Sequence, residues 1–349
     1  MATIFDLVTA RAIATYWNDR LNTTANYIGR SLFPVDKQLG LDLAWFVGSS
    51  GVPVTLKASA FDTEARTRDR IGISRVDTTM PFFREQMFIG EKERQEMNKM
   101  RQADQAMVAP ILQRIYDDAG QLVKGGEAMA ERMRMQLLST GLISVVDSGA
   151  RFDYDYSFPA GHKTTISVAA DKWSATTTAN PVRDITNWQD QIEADTGVRP
   201  TRAICTKKTF NYLVNNDAIR KDMQPLVASS AIVTPSDVVR YFANKLNLTI
   251  AINSLSYRTS TDGVTAKFFP DEVFTLIPEG NLGKTWFGTT PEESDLMSGS
   301  EAQVQIVNTG IAITTVKQVH PVNIQTIVSA IMLPSWENRD QVFIATVHS

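Results

Sequence analysis

Residues 127–141 read EAMAERMRMQLLSTG, and their apolar side chains recur every three or four positions. Met129, Met133 and Leu137 share one face of the helix that this spacing predicts, and Gly141 is a typical helix end. Methionine commonly fills irregular gaps in protein cores. We therefore interpret this stripe as a packing surface and not as a cofactor site.

The helical pattern extends upstream of this stretch, over residues 91–141 as a whole. Pro110 lacks the amide hydrogen that a helix interior needs, so a kink or a restart is expected there. Gly125-Gly126 predicts a second interruption, because glycine weakens a helix interior.

Downstream, residues 150–300 alternate helical and strand patterns. Thr234-Pro235-Ser236-Asp237 predicts a helix start, because threonine caps, proline suits the first helical position and aspartate reaches back to the cap. Further helix and strand patterns occur at residues 185–196, 203–206, 210–214, 248–252 and 273–278. The middle of the chain is therefore an α/β or α+β domain with its own core.

Residues 301–349 read mostly as strand, with alternating polar and apolar positions. A helical segment and a strand segment thus flank the middle domain. The economical arrangement packs the two flanks together and inserts the middle domain between them. The predicted fold class of the whole chain is α+β.

Residues 1–45 have the pattern of an arm. A short helix is predicted near its start, and Phe33-Pro34 forces an extended conformation further on. Two interpretations stay open for this apolar extended segment. It adds a strand to its own domain, or it lies on a neighbouring subunit.

Residues 46–90 resemble a long two-stranded excursion with a charged tip. An isolated two-stranded ribbon is marginally stable in water, so it needs a partner surface. An ordinary surface hairpin is the alternative. Seven charged residues of both signs favour ion pairing between subunits over phosphate binding: Asp62, Glu64, Arg66, Arg68, Asp69, Arg70 and Arg75.

The composition limits the class of protein. The 349 residues are 43% hydrophobic and 21% charged, which allows a sizeable core and differs from a disordered chain. A net charge of −3 gives none of the overall basic character of sequence-specific DNA-binding domains. With Cys205 as the one cysteine, no disulfide within the chain is possible. We expect no signal peptide, no transmembrane helix and folding in the cytoplasm.

One segment partly matches a phosphate-binding loop. Residues 280–285 read GNLGKT, but Pro278 stands where that loop needs its first glycine, and no helical pattern follows. A nucleotide-binding enzyme that uses Lys284 and Thr285 is therefore a remote alternative. The simpler interpretation is a glycine-rich turn after a strand.

Other catalytic or metal chemistry has little support in the sequence. His162, His320 and His348 are widely separated, and Cys205 lies in a predicted buried strand. We expect no catalytic residue, no metal site and no cofactor.

The order of these parts resembles the capsid fold named after phage Hong Kong 97. The local strings are similar to those of the lambda-type (E family) major capsid proteins of tailed bacteriophages, over nearly the whole chain. They are Leu32-Phe33-Pro34, the 133–141 segment, Phe152-Asp153-Tyr154, residues 200–206, Pro321-Val322 and Leu333-Pro334-Ser335-Trp336-Glu337.

The resemblance implies roles for four parts: an N-terminal arm (1–45), an extended loop (46–90), a peripheral domain with a spine helix (91–149 and 301–349) and an axial domain (150–300). It implies contacts between copies through the arm, at Phe33, and through the seven charged residues of the 46–90 loop.

The resemblance also implies a function. It is that of a non-enzymatic major capsid protein that assembles into hexamers and pentamers of an icosahedral head around double-stranded DNA. The implied partners are other copies, a separate scaffold protein, a portal, in some relatives a decoration protein, and packaged DNA through non-specific contact, with no membrane. Such a protein assembles in the host cytoplasm and resides in the virion. A nanocompartment shell or a domesticated prophage shell of the same fold is the alternative.

Overall fold

The computed structural model describes residues 8–19, 27–47, 74–92, 94–96, 99, 108–147, 150–224, 233–260, 263–297, 302–318, 320 and 323–348. The chain forms two compact units. The first comprises Met1–Ala44, Asp77–Glu131 and Lys284–Ser335, and the second Trp45–Val76, Arg132–Gly283 and Trp336–Ser349. No helix in the described part of the chain is long and apolar enough to cross a membrane.

The helices within the described ranges are α1 (Ala10–Asp19), α2 (Ile28–Leu32), α3 (Val108–Thr140), α4 (Pro181–Thr196), α5 (Lys207–Val214), α6 (Asp217–Met223) and α7 (Pro235–Leu246). Helical residues also occur between 91 and 99. A π-helical turn covers Glu292–Leu296, and 3₁₀ turns cover Ala160–His162 and Arg339–Gln341.

The strands are β1 (Val35–Lys37), β2 (Asp42–Val47), β3 (Ser74–Thr79), β4 (Phe82–Ile89), β5 (Leu142–Asp147), β6 (Ala150–Asp155), β7 (Lys163–Thr165), β8 (Arg202–Cys205), β9 (Thr249–Ile252), β10 (Ser256–Arg258), β11 (Thr265–Lys267), β12 (Val273–Ile277), β13 (Thr285–Phe287), β14 (Ala302–Val307), β15 (Ile311–Gln318), β16 (Asn323–Pro334) and β17 (Phe343–Thr346).

The long helix α3 runs without a break through Gly125-Gly126, so the predicted interruption there was wrong. The reason is tertiary packing. A Cβ at Gly126 would lie only 3.2 Å from Cδ1 of Ile311, so the missing side chain lets β15 approach the helix closely. Burial of the apolar face thus outweighs the weak helix propensity of two glycines. The predicted end of the helix is confirmed, since Gly141 has a φ of +79°.

The first unit is built on a six-stranded sheet with β16 at its centre. β16 lies between β15 and β4 over residues 324–330, and its last three residues pair with β13. β14 and β1 complete the sheet, and β1 is parallel to β13. The amide of Ala10 in α1 donates to the hydroxyl of Thr315 at 3.2 Å, so α1 packs against β14 and β15.

The second unit contains a five-stranded sheet in the order β7-β17-β12-β8-β9. Every residue of β12 is buried, as expected of a strand covered on both faces. Trp173, Trp188, Phe274 and Phe343 pack together in its core, with ring centroids 5.1–5.9 Å apart. Helix α7 begins with the predicted capping box at Thr234.

The C-terminal segment differs from the expected division of the chain. Residues 301–349 were expected to form one flank, but β17 pairs antiparallel with β12 and parallel with β7 in the second unit. Because β12 is buried throughout, it needs a neighbour on each edge, and β17 fills one of them while β8 fills the other. The grouping by compactness therefore changes after Ser335.

Three two-stranded sheets complete the described structure: β2-β3, β5-β6 and β10-β11. The side-chain amide of Gln136 on α3 bonds both backbone groups of Ser144 in β5, at 2.9 and 3.2 Å. It thereby satisfies peptide groups that β5 would otherwise expose at its open edge.

Candidate assembly site

The base of the predicted ribbon is the pair of strands β2 and β3. Side chains of β2 alternate between exposed and buried, and Phe46 on its open face is 65% exposed. Arg75 lies in β3 with an exposed side chain. The other predicted contact residues of the tip lie outside the described residues: Asp62, Glu64, Arg66, Arg68, Asp69 and Arg70.

Phe33 was expected at a contact between copies, whereas its side chain is completely buried in its own unit. The hydroxyl of Thr285 donates to the carbonyl of Phe33 at 3.1 Å, and the Thr285 amide donates to that of Pro34 at 2.9 Å. Of the two interpretations of this segment, the structure shows the local one, in which β1 adds to the sheet of its own unit.

The N-terminal segment is held by two buried carboxylates of α3, Glu127 and Glu131, which we call the arm dock. Glu131 is completely buried, and its Oε1 accepts a hydrogen bond from the backbone amide of Gly29 at 2.9 Å. That amide lies in the first turn of α2, where the helix itself offers no acceptor. The carboxylate therefore stabilises the start of α2 and fixes it on α3.

Glu127 lies one helical turn before Glu131 and completes the arm dock. Its Oε1 accepts from the side-chain amide of Asn308 at 2.7 Å and lies 3.6 Å from the guanidinium of Arg30. Burial, followed by the negative charges of both glutamates, raises the pKa of the Tyr27 hydroxyl. Two like charges at this spacing repel each other, so the donors that face them make their burial tolerable.

The partial phosphate-loop match does not have the geometry of a nucleotide site. Thr285 begins strand β13, whereas a phosphate-binding loop must open a helix. The ammonium of Lys284 bonds the carboxylate of Asp36 at 2.7 Å. The hydrogen bond from this lysine lowers the pKa of Asp36. Lys284 therefore joins β1 to the chain that enters β13.

Cys205 and His162 are both buried, in surroundings that indicate a structural role. Cys205 is completely buried in β8, and desolvation raises the pKa of its thiol to about 12. Nε2 of His162 lies 3.0 Å from the carboxylate of Asp195. Within the described ranges, no group of three or more His, Cys, Asp or Glu residues could hold a metal ion.

A groove of about 260 Å³ lies beside α4 in the second unit. Its charged groups satisfy one another, because Arg183 lies 3.3 Å from Asp184 and 3.9 Å from Asp171. The indole of Trp173 donates to Asp184 at 3.2 Å, while burial raises the pKa of this carboxyl. The groove therefore has no unpaired charge that calls for a ligand.

Several solved structures share this architecture. They include a protein assigned as the capsid protein of an E. coli CFT073 prophage (TM-score 0.61, 12% identity, 97% of this chain and 99% of that chain). A phage-related protein from Bordetella bronchiseptica RB50 matches with TM-score 0.56, 12% identity and 97% of each chain. The capsid of cyanophage A-1(L) matches with TM-score 0.51, 13% identity and 92% of each chain. No curated protein matches the sequence.

These likenesses show the fold of the chain, which is the HK97-type fold of phage capsid proteins. The family model of phage major capsid protein E matches residues 9–347. The chain belongs to the phage major capsid protein E family, and its function is that of a major capsid protein. The resemblance found in the sequence is thereby confirmed.

Proposed function

We propose that copies of this chain form the hexamers and pentamers of a closed icosahedral head that encloses double-stranded DNA. The observation that carries the proposal is the family match over residues 9–347. One chain must then fit several environments, because ring contacts and contacts around local threefold axes use different surfaces of the same subunit.

The parts of the chain take distinct roles in this proposal. Residues 91–149 with the strands from Lys284 onwards form the peripheral domain, and residues 150–283 form the axial domain that points at the ring centre, because β13 pairs with β16 in the sheet of the first unit. Since β17 belongs to the sheet of the second unit, we draw the end of the peripheral domain at Ser335. The arm is residues 1–45, with the Phe33 ring enclosed in its own unit.

The charged tip of residues 46–90 is the proposed contact between copies. A single surface ion pair contributes only about 0–1 kcal/mol, so the stabilisation comes from several such pairs in each contact and from the repetition of the contact around the shell. Seven charged residues are available for these pairs. They are Asp62, Glu64, Arg66, Arg68, Asp69, Arg70 and Arg75.

Other partners belong to the same proposal. A separate scaffold protein, a portal, packaged DNA held by non-specific contact and in some relatives a decoration protein complete the head. Assembly takes place in the host cytoplasm, and the chain catalyses no reaction. A domesticated prophage shell is the second candidate, favoured by the fold likeness to a protein assigned as a prophage capsid protein, and a nanocompartment shell of the same fold is the alternative to it.

Negative-stain microscopy of the purified chain tests the proposal. Closed particles, rings or tubes are expected, and nuclease-protected DNA in native particles separates a phage head from a compartment that encloses an enzyme. A single species of 38.7 kDa at all concentrations in sedimentation would contradict self-assembly.

A matched pair of variants tests the ribbon tip. Arg66, Arg68 and Arg70 are all replaced by glutamate in one variant and by lysine in the other. The glutamate variant should fold but lose particles, whereas the lysine variant keeps the charge and should assemble. Normal particles from the glutamate variant contradict the assignment of the tip.

A further inference from the structure

Strand β4 is exposed on both of its faces. Five consecutive residues, 84–88, have exposed side chains. Met87 is 41% and Phe88 67% exposed, and as neighbours in a strand they point to opposite faces of the sheet. β15 and β16, in the middle of this sheet, show long buried runs, such as residues 311–315 of β15. A partner that lay flat on one face of β4 would leave one of these two side chains in water.

The hydrogen-bond register shows where the remaining peptide groups of β4 point. The amide of Met332 donates to the carbonyl of Pro81 at 3.3 Å, so these two opposite residues form a hydrogen-bonded pair. The antiparallel register runs unbroken to Ile89 opposite Ile324, so every second residue after Pro81 is bonded to β16 in the same way. Residues 83, 85, 87 and 89 therefore turn their amides and carbonyls toward β16. The peptide groups of Phe82, Arg84, Gln86 and Phe88 point to the opposite edge, where no described strand pairs with β4.

Other strands at sheet edges in the described structure have contacts of this kind. Helix α1 packs on β14 and β15 at the far end of the same sheet, and the Gln136 side chain bonds the peptide groups of Ser144 in β5. Soluble proteins protect long edges in such ways, because an open edge pairs with other chains. The edge of β4 has no comparable cover among the described elements.

Charged side chains do not guard the second half of this edge either. Residues 86–89 read Gln-Met-Phe-Ile and contain no charge and no proline. The guanidinium of Arg84 pairs with the carboxylate of Glu292 at 2.6 Å, so its charge does not protect the edge against another strand. The same carboxylate accepts a hydrogen bond from the Ser329 hydroxyl at 2.8 Å. A neutral apolar edge of this kind is an aggregation site unless it has a designated partner.

We infer that the outward edge of β4, with which no described strand pairs, receives an extended strand from a second copy of this chain. This inference rests on the proposed function. Strand addition accounts for both observations together, because the added strand bonds the outward peptide groups while its side chains cover Met87 on one face and Phe88 on the other. The occupant is a second copy because self-assembly is the activity of the family to which the chain belongs.

Amide hydrogen exchange, measured on dissociated chain and on particles assembled from the purified chain, tests the inference position by position. The amides of Gln86 and Phe88 should exchange quickly in the dissociated chain and about tenfold or more slowly in particles. The amides of Glu85 and Met87, which face β16, should be protected in both states and serve as internal controls.

Two pairs of variants provide an independent readout. Gln86→Pro removes an outward amide, a position where edge strands tolerate proline, while Gln86→Thr keeps the amide. Phe88→Lys places a charge on the outward edge, while Phe88→Leu keeps an apolar side chain. The proline and lysine variants should stay folded by circular dichroism and lose particles, and both controls should assemble.

The outcomes separate this inference from the proposed function. Particles in which Gln86 and Phe88 remain unprotected overturn the strand addition alone, and so does normal assembly of Phe88→Lys. Failure of the unaltered chain to form any particle overturns the proposed function and the inference with it. If Gln86→Pro unfolds, Phe88→Lys decides, because that side chain is 67% exposed and tolerates a polar substitution in the fold.

Discussion

Replacing Glu131 with alanine should release the start of α2 from the long helix. The carboxylate is completely buried and accepts the Gly29 amide at 2.9 Å, so the substitution leaves a buried donor without this acceptor. An unsatisfied buried donor costs about 1–3 kcal/mol. Local opening of residues 27–33 should therefore become about 5- to 150-fold more frequent, because each 1.4 kcal/mol is about a factor of ten.

Hydrogen exchange of the Gly29 amide in the dissociated chain measures this change directly. Glu131→Gln is the matched control, since glutamine keeps an acceptor oxygen and nearly the same shape. It should raise the exchange rate by less than about tenfold, because the hydrogen bond to Gly29 is kept and only the charge of its acceptor is lost. The amides of β12, in the other unit, should be unchanged in both variants.

The result that refutes this reasoning is equally specific. If Glu131→Ala leaves the Gly29 exchange rate within about twofold of the unaltered chain, the arm dock does not hold α2. If alanine and glutamine accelerate exchange equally, the negative charge matters and the acceptor does not.

Three further substitutions test other parts of the structure. Thr234→Ala removes the capping box of α7 and should lower stability by about 1 kcal/mol in thermal unfolding, while Thr234→Ser should cost less. Burial raises the pKa of Asp184 above its ordinary value of 3.8, so ionisation of this carboxyl disfavours the folded state, and the free energy of unfolding falls as the pH rises just above 3.8. The Asp184→Asn variant should therefore melt at a higher temperature than the unaltered chain at pH 7 and lose this advantage near pH 3. Gly141→Ala should destabilise by more than about 1 kcal/mol, because φ is +79° and the new Cβ would lie 2.7 Å from Phe158, and unchanged melting would contradict that strain.

Local chemistry explains the elements that the sequence predicted well. The capping box at Thr234 and the left-handed glycine after α3, Gly141, are decided by residues within one helical turn. Strand β8, with Cys205 buried, was equally readable from a short apolar run. Such signals need no knowledge of distant parts of the chain.

Long-range packing explains the elements that the sequence did not predict. Continuity of α3 through Gly126 depends on Ile311, which is far away in sequence. The apolar run in residues 342–347 predicts a strand but not the sheet that it joins, so the membership of β17 was missed. Both depend on contacts that periodicity does not report.

The candidate site was predictable only in part. Pro34 correctly indicates extended backbone after Phe33, but whether that backbone pairs within its own unit or on a neighbour is a question of tertiary structure. Glu127 and Glu131 were missed because glutamates on a helix are usually solvated. A usable signal was Met135, one helical turn after Glu131 on the same face of α3, whose side chain is completely buried.

The position of β17 in its sheet has a consequence for the timing of synthesis. β17 is made after every other strand of that sheet, yet it lies between β7 and β12. Until it leaves the ribosome, β7 has no neighbour in the sheet and one edge of β12 is bare. The sheet of the second unit therefore cannot be completed until residues 343–346 have emerged from the ribosome, after the residues of its four other strands.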